Sequence, residues 1–83
     1  MATTVAKNTL EVADRCTAMV RDVLQLPAQS VWIDYDKEAD VLYLSFRKPQ
    51  RATKTEEVNK DILIRKDGRR IVGVTIMNAS AHQ

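Results

Sequence analysis

The chain has 83 residues, of which 45% are apolar and 29% charged, and its formal net charge at neutral pH is +2. That length suffices for one domain, residues 1–83, and the composition is that of an ordinary globular protein. No apolar run approaches the ~20 residues of a membrane-spanning helix, and no signal-peptide pattern is present, so we expect a cytoplasmic protein without a membrane partner. Cys16 is the only cysteine, which excludes an intrachain disulfide.

The first predicted element is an amphipathic helix over about residues 9–26. Asn8 is a suitable N-cap, and Pro27 cannot continue the helix because it has no backbone N–H to donate. Apolar side chains recur at helical spacing and form one stripe: Val12, Cys16, Met19, Val20, Val23 and Leu24. We expect this stripe to cover one face of a sheet.

After Pro27 the apolar residues follow the two-residue period of β-strands. Strands are predicted at about residues 31–35, 41–46, 53–58, 62–66 and 71–77, within a sheet that spans about residues 30–78. The connections are short, which favours antiparallel neighbours. The predicted fold class is α+β, an N-terminal helix packed on an antiparallel four- or five-stranded sheet.

Asp67-Gly68 predicts the turn of the last hairpin, because both residues tolerate a positive φ. A two-residue loop made of Asp67 and Gly68 would place Ile64 opposite Ile71. A three-residue loop would place Ile64 opposite Val72. We favour the longer loop because it makes the cleaner core. That register gathers five apolar side chains on one face: Ile62, Ile64, Val72, Val74 and Ile76.

Both faces of the predicted sheet are rich in apolar residues, and a single helix covers only one of them. Loops or the curl of the sheet could cover the other face, but a second copy of the chain is the simplest partner. We therefore predict a homodimer at micromolar concentration, which a charge at Tyr43 should dissociate or unfold. The predicted interface residues are Trp32, Val41, Tyr43, Ile71 and Met77.

Four acidic residues alternate along the first hairpin: Asp34, Asp36, Glu38 and Asp40. Alternating oxygen ligands also begin a calcium loop, but Ala39 stands where that loop needs glycine, and Ser45 where it needs its final glutamate. We therefore expect turn-forming aspartates and no metal site. Calorimetry should detect no one-to-one binding of calcium or zinc tighter than ~10 μM, the range of calcium sensors.

The sequence offers few residues for catalysis. Cys16 lies on the apolar stripe of the helix, and His82 lies next to the end of the chain. No serine stands in a glycine-flanked elbow, and no glycine-rich loop is present to hold a phosphate. The sequence does not exclude a catalytic carboxylate pair formed between Glu56 or Glu57 and an acidic residue of the first hairpin. We predict no catalytic residues and no cofactor, and a small hydrolase or metal-dependent enzyme ranks third among the possible functions.

Charge is distributed unevenly along the chain. Residues 1–42 hold four basic and seven acidic residues, and residues 43–83 hold nine basic and four acidic residues. The basic residues concentrate in the loop 47–54 and the turn 65–70, and such patches bind phosphate backbones. Both segments lack the aromatic residues on which bases stack. The candidate nucleic-acid contacts are Arg47, Lys48, Arg51, Arg69 and Arg70.

Two segments, YDKEADVLYL from Tyr35 and GRRIVGVTIMNAS from Gly68, resemble a small prokaryotic family known as domain-of-unknown-function family 2283. The resemblance covers about residues 31–80. Relatives usually have an acidic residue where Thr75 stands, and often an acidic pair near Arg65-Lys66. The predicted helix precedes the shared region. The family offers no catalytic residues to transfer, but some relatives look like partners of small toxin-like proteins.

The sequence and the resemblance together favour a non-enzymatic interaction protein, homodimeric, with an antitoxin-like or regulatory role toward a small toxin-like protein. The alternative is a nucleic-acid-binding module that uses the basic loop 47–54 and the turn 65–70, with weak binding.

Overall fold

The structure, a computed structural model, describes residues 7–83. One helix, α1 (Lys7–Val23), precedes five strands. These are β1 (Trp32–Asp36), β2 (Val41–Ser45), β3 (Lys54–Glu57), β4 (Ile62–Asp67) and β5 (Arg70–Met77), followed by a 3₁₀ helix, Ala79–His82. The predicted α+β class with an N-terminal helix and an antiparallel sheet is confirmed, and the sheet has five strands.

The strand order is β1-β2-β5-β4-β3, with every neighbouring pair antiparallel. The last strand enters the middle of the sheet, between β2 and β4. Its sequence, RIVGVTIM, has apolar residues at both odd and even positions, so β5 presents apolar side chains to both faces of the sheet. The edge strand β3, with the sequence KTEE, is polar and exposed, which protects that edge from pairing with other chains.

The β4–β5 hairpin differs from the predicted register. Asp67 pairs with Arg70, so the loop consists of Gly68 and Arg69 rather than the predicted Asp67-Gly68 pair, and Ile64 pairs with Val74 rather than with Val72. Arg65 pairs with Gly73 and Lys66 with Ile71, which leaves one extra residue of β5 at a bulge. The bulge restores the alternation, so Ile62, Ile64, Val72, Val74 and Ile76 share one face as predicted.

Cross-strand pairing assigns the side chains to the two faces of the sheet. One face, here called the apolar face, consists of Ile33, Leu42, Leu44, Phe46, Ile62, Ile64, Val72, Val74 and Ile76. The opposite face is mixed and includes Asp34, Ser45, Arg65 and Thr75. Within residues 7–83, Phe46 and Val72 are the only hydrophobic side chains that are buried.

The predicted cover of the sheet by α1 is corrected by the structure. Residues of the stripe are exposed, Val12 by 61% and Val20 by 50%, and Cys16 is exposed as well. Only the C-terminal end of α1, at Met19 and Val23, borders the apolar face. A 17-residue helix is about 25 Å long, and its projection from the sheet accounts for a molecule of 54 × 27 × 21 Å.

The helix ends three residues earlier than predicted, because Gln25 and Leu26 bond to carbonyls three residues back, which tightens the last turn. In the segment that follows, Leu26, Ala28 and Val31 are half-buried. This connection leads into β1 and directs the rest of α1 away from the sheet. No helix among the described residues is long and apolar enough to span a membrane.

Candidate interaction surface

An open hollow of about 1530 Å³ lies between the apolar face and the C-terminal end of α1. Leu44, Val74 and Ile76 line it from the sheet, and Met19 and Val23 line it from the helix. The alternation of β2 and β5 supplies these aliphatic side chains, which form no hydrogen bonds. The hollow therefore suits an apolar surface rather than a polar small molecule.

The edges of the apolar face differ from its centre. On the β1 side, Ile33 and Tyr35 are about half exposed, at 51% and 50%. On the β3 side, Lys66 forms a salt bridge with Glu56, and this contact lowers the pKa of Glu56. An apolar centre with polar or aromatic edges is the usual anatomy of a protein interface.

A second, shallower hollow of about 340 Å³ lies on α1 itself. Its lining residues are Cys16, Met19, Val20, Val23 and Leu24. Together with Val12, these residues form the apolar stripe of the helix that was predicted from the sequence, here called the helix stripe. Helical spacing puts Glu11, Asp14, Arg15 and Arg21 on the other side of the helix, whereas Asp22 borders the first hollow beside Met19 and Val23. The described residues thus present two open apolar surfaces, one on the sheet and one on the helix.

The structure brings together four of the five predicted interface residues. Val41 pairs with Met77, Tyr43 with Thr75 and Trp32 with Ser45, which places all of them on the opposite face. Ile71 lies beside the bulge and lines the hollow on the apolar face instead. The sequence placed Ile71 with the others because strict alternation does not include a bulge.

Gln50 covers part of the opposite face. Its amide donates to Ser45 Oγ at 2.9 Å and accepts from Arg65 Nε at 3.3 Å. Gly73 makes room for it, since a Cβ there would lie 2.8 Å from Gln50 Cδ and 2.9 Å from Leu44 O. The loop after β2 therefore seals part of the face that the sequence predicted as an interface.

The two basic segments lie at one end of the sheet. Arg47 Nη2 pairs with Asp67 Oδ2 at 2.8 Å, which joins the loop after β2 to the β4–β5 turn. Arg47 also donates to the carbonyls of Gln50 and Arg51, so it is a structural residue of this loop. The Nζ of Lys48 lies 5.9 Å from the centre of the Trp32 ring, an aromatic neighbour that the sequence did not predict.

A cluster of polar side chains at the other end of the sheet centres on Asp40. Tyr35 Oη donates to Asp40 Oδ1 at 2.6 Å, and Ser80 Oγ donates to Asp40 Oδ2 at 2.7 Å. Two hydrogen bonds lower the pKa of Asp40, mainly the one from Tyr35 and then the one from Ser80. The hydrogen bond between Tyr35 and Asp40 also raises the pKa of Tyr35. Asp36 accepts from the N–H of Ala39 at 3.1 Å, which is the turn-forming role predicted for Asp36. The Asp40 carboxylate instead bonds to Tyr35 and to the distant Ser80.

Beside this cluster, Asp61 ties the β3–β4 loop to the C-terminal segment. Asn78 Nδ2 donates to Asp61 Oδ1 at 2.9 Å, and His82 Nε2 lies 3.0 Å from Asp61 Oδ2. Since Ser80 bonds Asp40 while His82 bonds Asp61, serine and histidine are not linked as a nucleophile and its base. This role of His82 was not predicted from the sequence, because residues near a chain terminus are usually poorly ordered.

Among residues 7–83, no three histidine, cysteine or acidic side chains are grouped so that they could share a metal ion. The model of a family described as "Protein of unknown function (DUF2283)" matches residues 32–80. The chain belongs to this family. No curated protein and no solved structure matches the chain. The DUF2283 region contains the whole sheet and Ser80, whereas α1 and the connecting segment precede it.

The hydrogen bond between Ser80 and Asp40, here called the clasp, joins the segment after β5 to the β1–β2 turn. It connects the two ends of the DUF2283 region. Asp40 adopts a φ of 56°, a conformation that asparagine also tolerates. Asp40→Asn therefore removes the charge while it preserves the turn. The substitution isolates the contribution of the carboxylate to stability.

We expect Asp40→Asn to weaken the acid sensitivity of the protein. The pKa of Asp40 is lowered in the folded state from its ordinary value of 3.8. Its contribution to stability is therefore complete above that value and is lost as the pH falls through the lowered pKa. Between pH 5.5 and pH 3, about the range of this titration, the urea midpoint of the variant should fall less than that of the wild type. Asp34→Asn, which leaves the clasp in place, should behave like the wild type, and equal slopes for Asp40→Asn would contradict the prediction.

Proposed function

We propose that this protein is a non-enzymatic interaction protein that assembles with a second copy of itself and has an antitoxin-like or regulatory role toward a small protein partner. The observation that supports the proposal is the open apolar face of the sheet. Soluble monomers seldom expose a contiguous apolar surface of this kind. A chain in which Phe46 and Val72 are the only buried hydrophobic side chains of residues 7–83 also has little core of its own.

The polar clusters support a structural role for the residues that catalysis would need. Ser80 donates to Asp40, and Asn78 donates to Asp61, so these side chains join two turns to the C-terminal segment. The side chains at the centre of the hollow are aliphatic, so they favour a partner that buries apolar surface against them. An interaction protein needs this combination of a fixed scaffold and an open apolar surface.

Light scattering at ~100 μM tests the self-assembly, a concentration well above the micromolar range in which a modest interface dissociates. The expected mass is twice the 9.4 kDa of one chain. A mass of 9.4 kDa at this concentration would contradict the homodimer. Co-expression with the products of the neighbouring genes tests the antitoxin-like role, and the expected result is a complex of fixed stoichiometry with a small protein.

One observation favours nucleic-acid binding as a second candidate function. The Arg47–Asp67 salt bridge brings the two basic segments to the same end of the sheet, next to Trp32. Arg51, Arg69 and Arg70 then lie on a single basic end of the molecule. Such a surface attracts phosphate backbones through charge alone.

We expect this binding to be weak and to disappear between ~50 and ~200 mM salt, because counterion release governs it. Arg69→Glu should reduce the binding of a short duplex at low salt. Lys60→Glu makes the same charge change in the β3–β4 loop, at the other end of the sheet, and should have less effect. A sequence-specific shift that persists above ~200 mM salt would show base recognition instead.

A further inference from the structure

We propose that two copies of this chain exchange their helices, so that α1 of each copy lies along the apolar face of the other. The proposal rests on the self-assembly proposed above and specifies its geometry. It assigns one occupant to both unpartnered surfaces, since the helix stripe of one copy covers the sheet of its partner. Two-fold symmetry makes the two contacts identical.

The two surfaces match in size and character. The helix stripe runs along a helix about 25 Å long, estimated from 17 residues at 1.5 Å each. The apolar face spans β1, β2, β5 and β4, about 15–20 Å across at ~4.8 Å per strand. Glu11, Asp14 and Arg21 of α1 lie on the side away from the stripe, so they stay in water when the stripe is covered.

The helix does not cover the face of its own copy. Met19 and Val23 border the hollow, but Val12 at the other end of the stripe is 61% exposed. The connection from Val23 to Trp32 has eight residues, and three of them are half-buried in the single chain. With the connection held in this way, α1 projects beyond the sheet, where a second copy can receive it.

The buried area of such an exchange reaches what a specific dimer needs. Each helix-on-sheet contact has a footprint on the order of 25 × 10 Å, from the length and diameter of a helix. Two contacts, each with two surfaces, remove on the order of 1,000 Å² from water, which is the lower limit for a biological interface. A contact between the two helices alone would cover half of that area and would leave both apolar faces open.

Cys16 makes the exchange testable, since it is the only cysteine and lies in the helix stripe. The wild-type chain is mixed with a Cys16→Ser, Val74→Cys chain, which carries its thiol at the centre of the apolar face. Mild oxidation with diamide should join the two different chains, because a disulfide requires Cβ atoms about 3.8 Å apart. The mixed product should form at least ~10-fold faster than in a mixture with Cys16→Ser, Thr75→Cys, whose thiol lies on the opposite face.

Two results would overturn the proposal. A chain that holds both Cys16 and Val74→Cys could form an intrachain disulfide at ~1 μM, far below the effective concentration within one chain, which would show that α1 folds onto its own sheet. Oxidation could also yield mainly wild-type pairs joined through Cys16, which would show helix against helix. Ile64→Cys replaces Val74→Cys as the sheet thiol if the latter fails to fold.

Light scattering of the same mixtures separates this proposal from the self-assembly on which it rests. A dimeric mass without the mixed disulfide would contradict the helix exchange and leave the homodimer standing. A monomeric mass of 9.4 kDa would contradict both. A dimeric mass with the mixed disulfide supports both.

Discussion

Val74→Asp is expected to convert the proposed dimer into monomers. Val74 lies in the central strand and pairs with Leu44 on one side and Ile64 on the other, so it occupies the middle of the apolar face. A carboxylate there would be buried without a partner in the dimer, at a cost of several kcal/mol. Because both copies bring one, the Kd should rise at least ~100-fold, which is about 2.8 kcal/mol.

The measurement is the mass at ~10 μM and ~100 μM, with circular dichroism to show that the variant is folded, since dissociation depends on concentration. Thr75→Asp is the matched control, because the neighbouring side chain lies on the opposite face. It should leave the mass unchanged. A dimeric Val74→Asp variant would contradict the prediction, and dissociation by Tyr43→Asp would instead support the interface predicted from the sequence.

Phe46→Ala is expected to unfold most of the protein. Phe46 is 8% exposed and Val72, with which it is hydrogen-bonded through the backbone, is 1% exposed. Removing a buried phenyl ring costs about 3–5 kcal/mol, because the transfer energy is lost and a cavity remains. That is a large share of the ~5–15 kcal/mol that stabilises a typical domain, and residues 7–83 bury little other hydrophobic surface completely.

Urea unfolding at one fixed protein concentration measures the effect, because the proposed assembly would contribute to the apparent stability. Val58→Ala is the control: Val58 is 59% exposed, so the change should stay within about 0.5 kcal/mol. Equal urea midpoints for Phe46→Ala and the wild type would show that Phe46 is not part of the core.

The sequence by itself determined the elements and the faces of the sheet. Alternation along β2 and β5 depends on neighbouring residues, and so does the positive φ of 62° that Gly68 adopts in the β4–β5 turn. The grouping of Ile64 with Val74 on one face survived an error in register, because the bulge restored the alternation. The turn chemistry of Asp36 is equally local, since its partner is three residues away.

Contacts between distant residues were decided only by the tertiary structure. The entry of β5 between β2 and β4 brings Ser80 to Asp40, 40 residues apart, and Arg47 meets Asp67 across 20 residues. These distances depend on strand order, which local periodicity does not encode. For this reason the sequence predicted two separate basic patches and gave no role to His82.

The position of α1 relative to the sheet also could not be predicted from local sequence patterns. The apolar stripe from Val12 to Val23 predicts that one side of the helix is covered, because apolar area is stabilised by leaving water. It does not specify which surface covers it, since the gain is the same on its own sheet or on that of a second copy. The connection around Leu26 and Ala28 decides this in three dimensions, because it directs the helix away from its own apolar face.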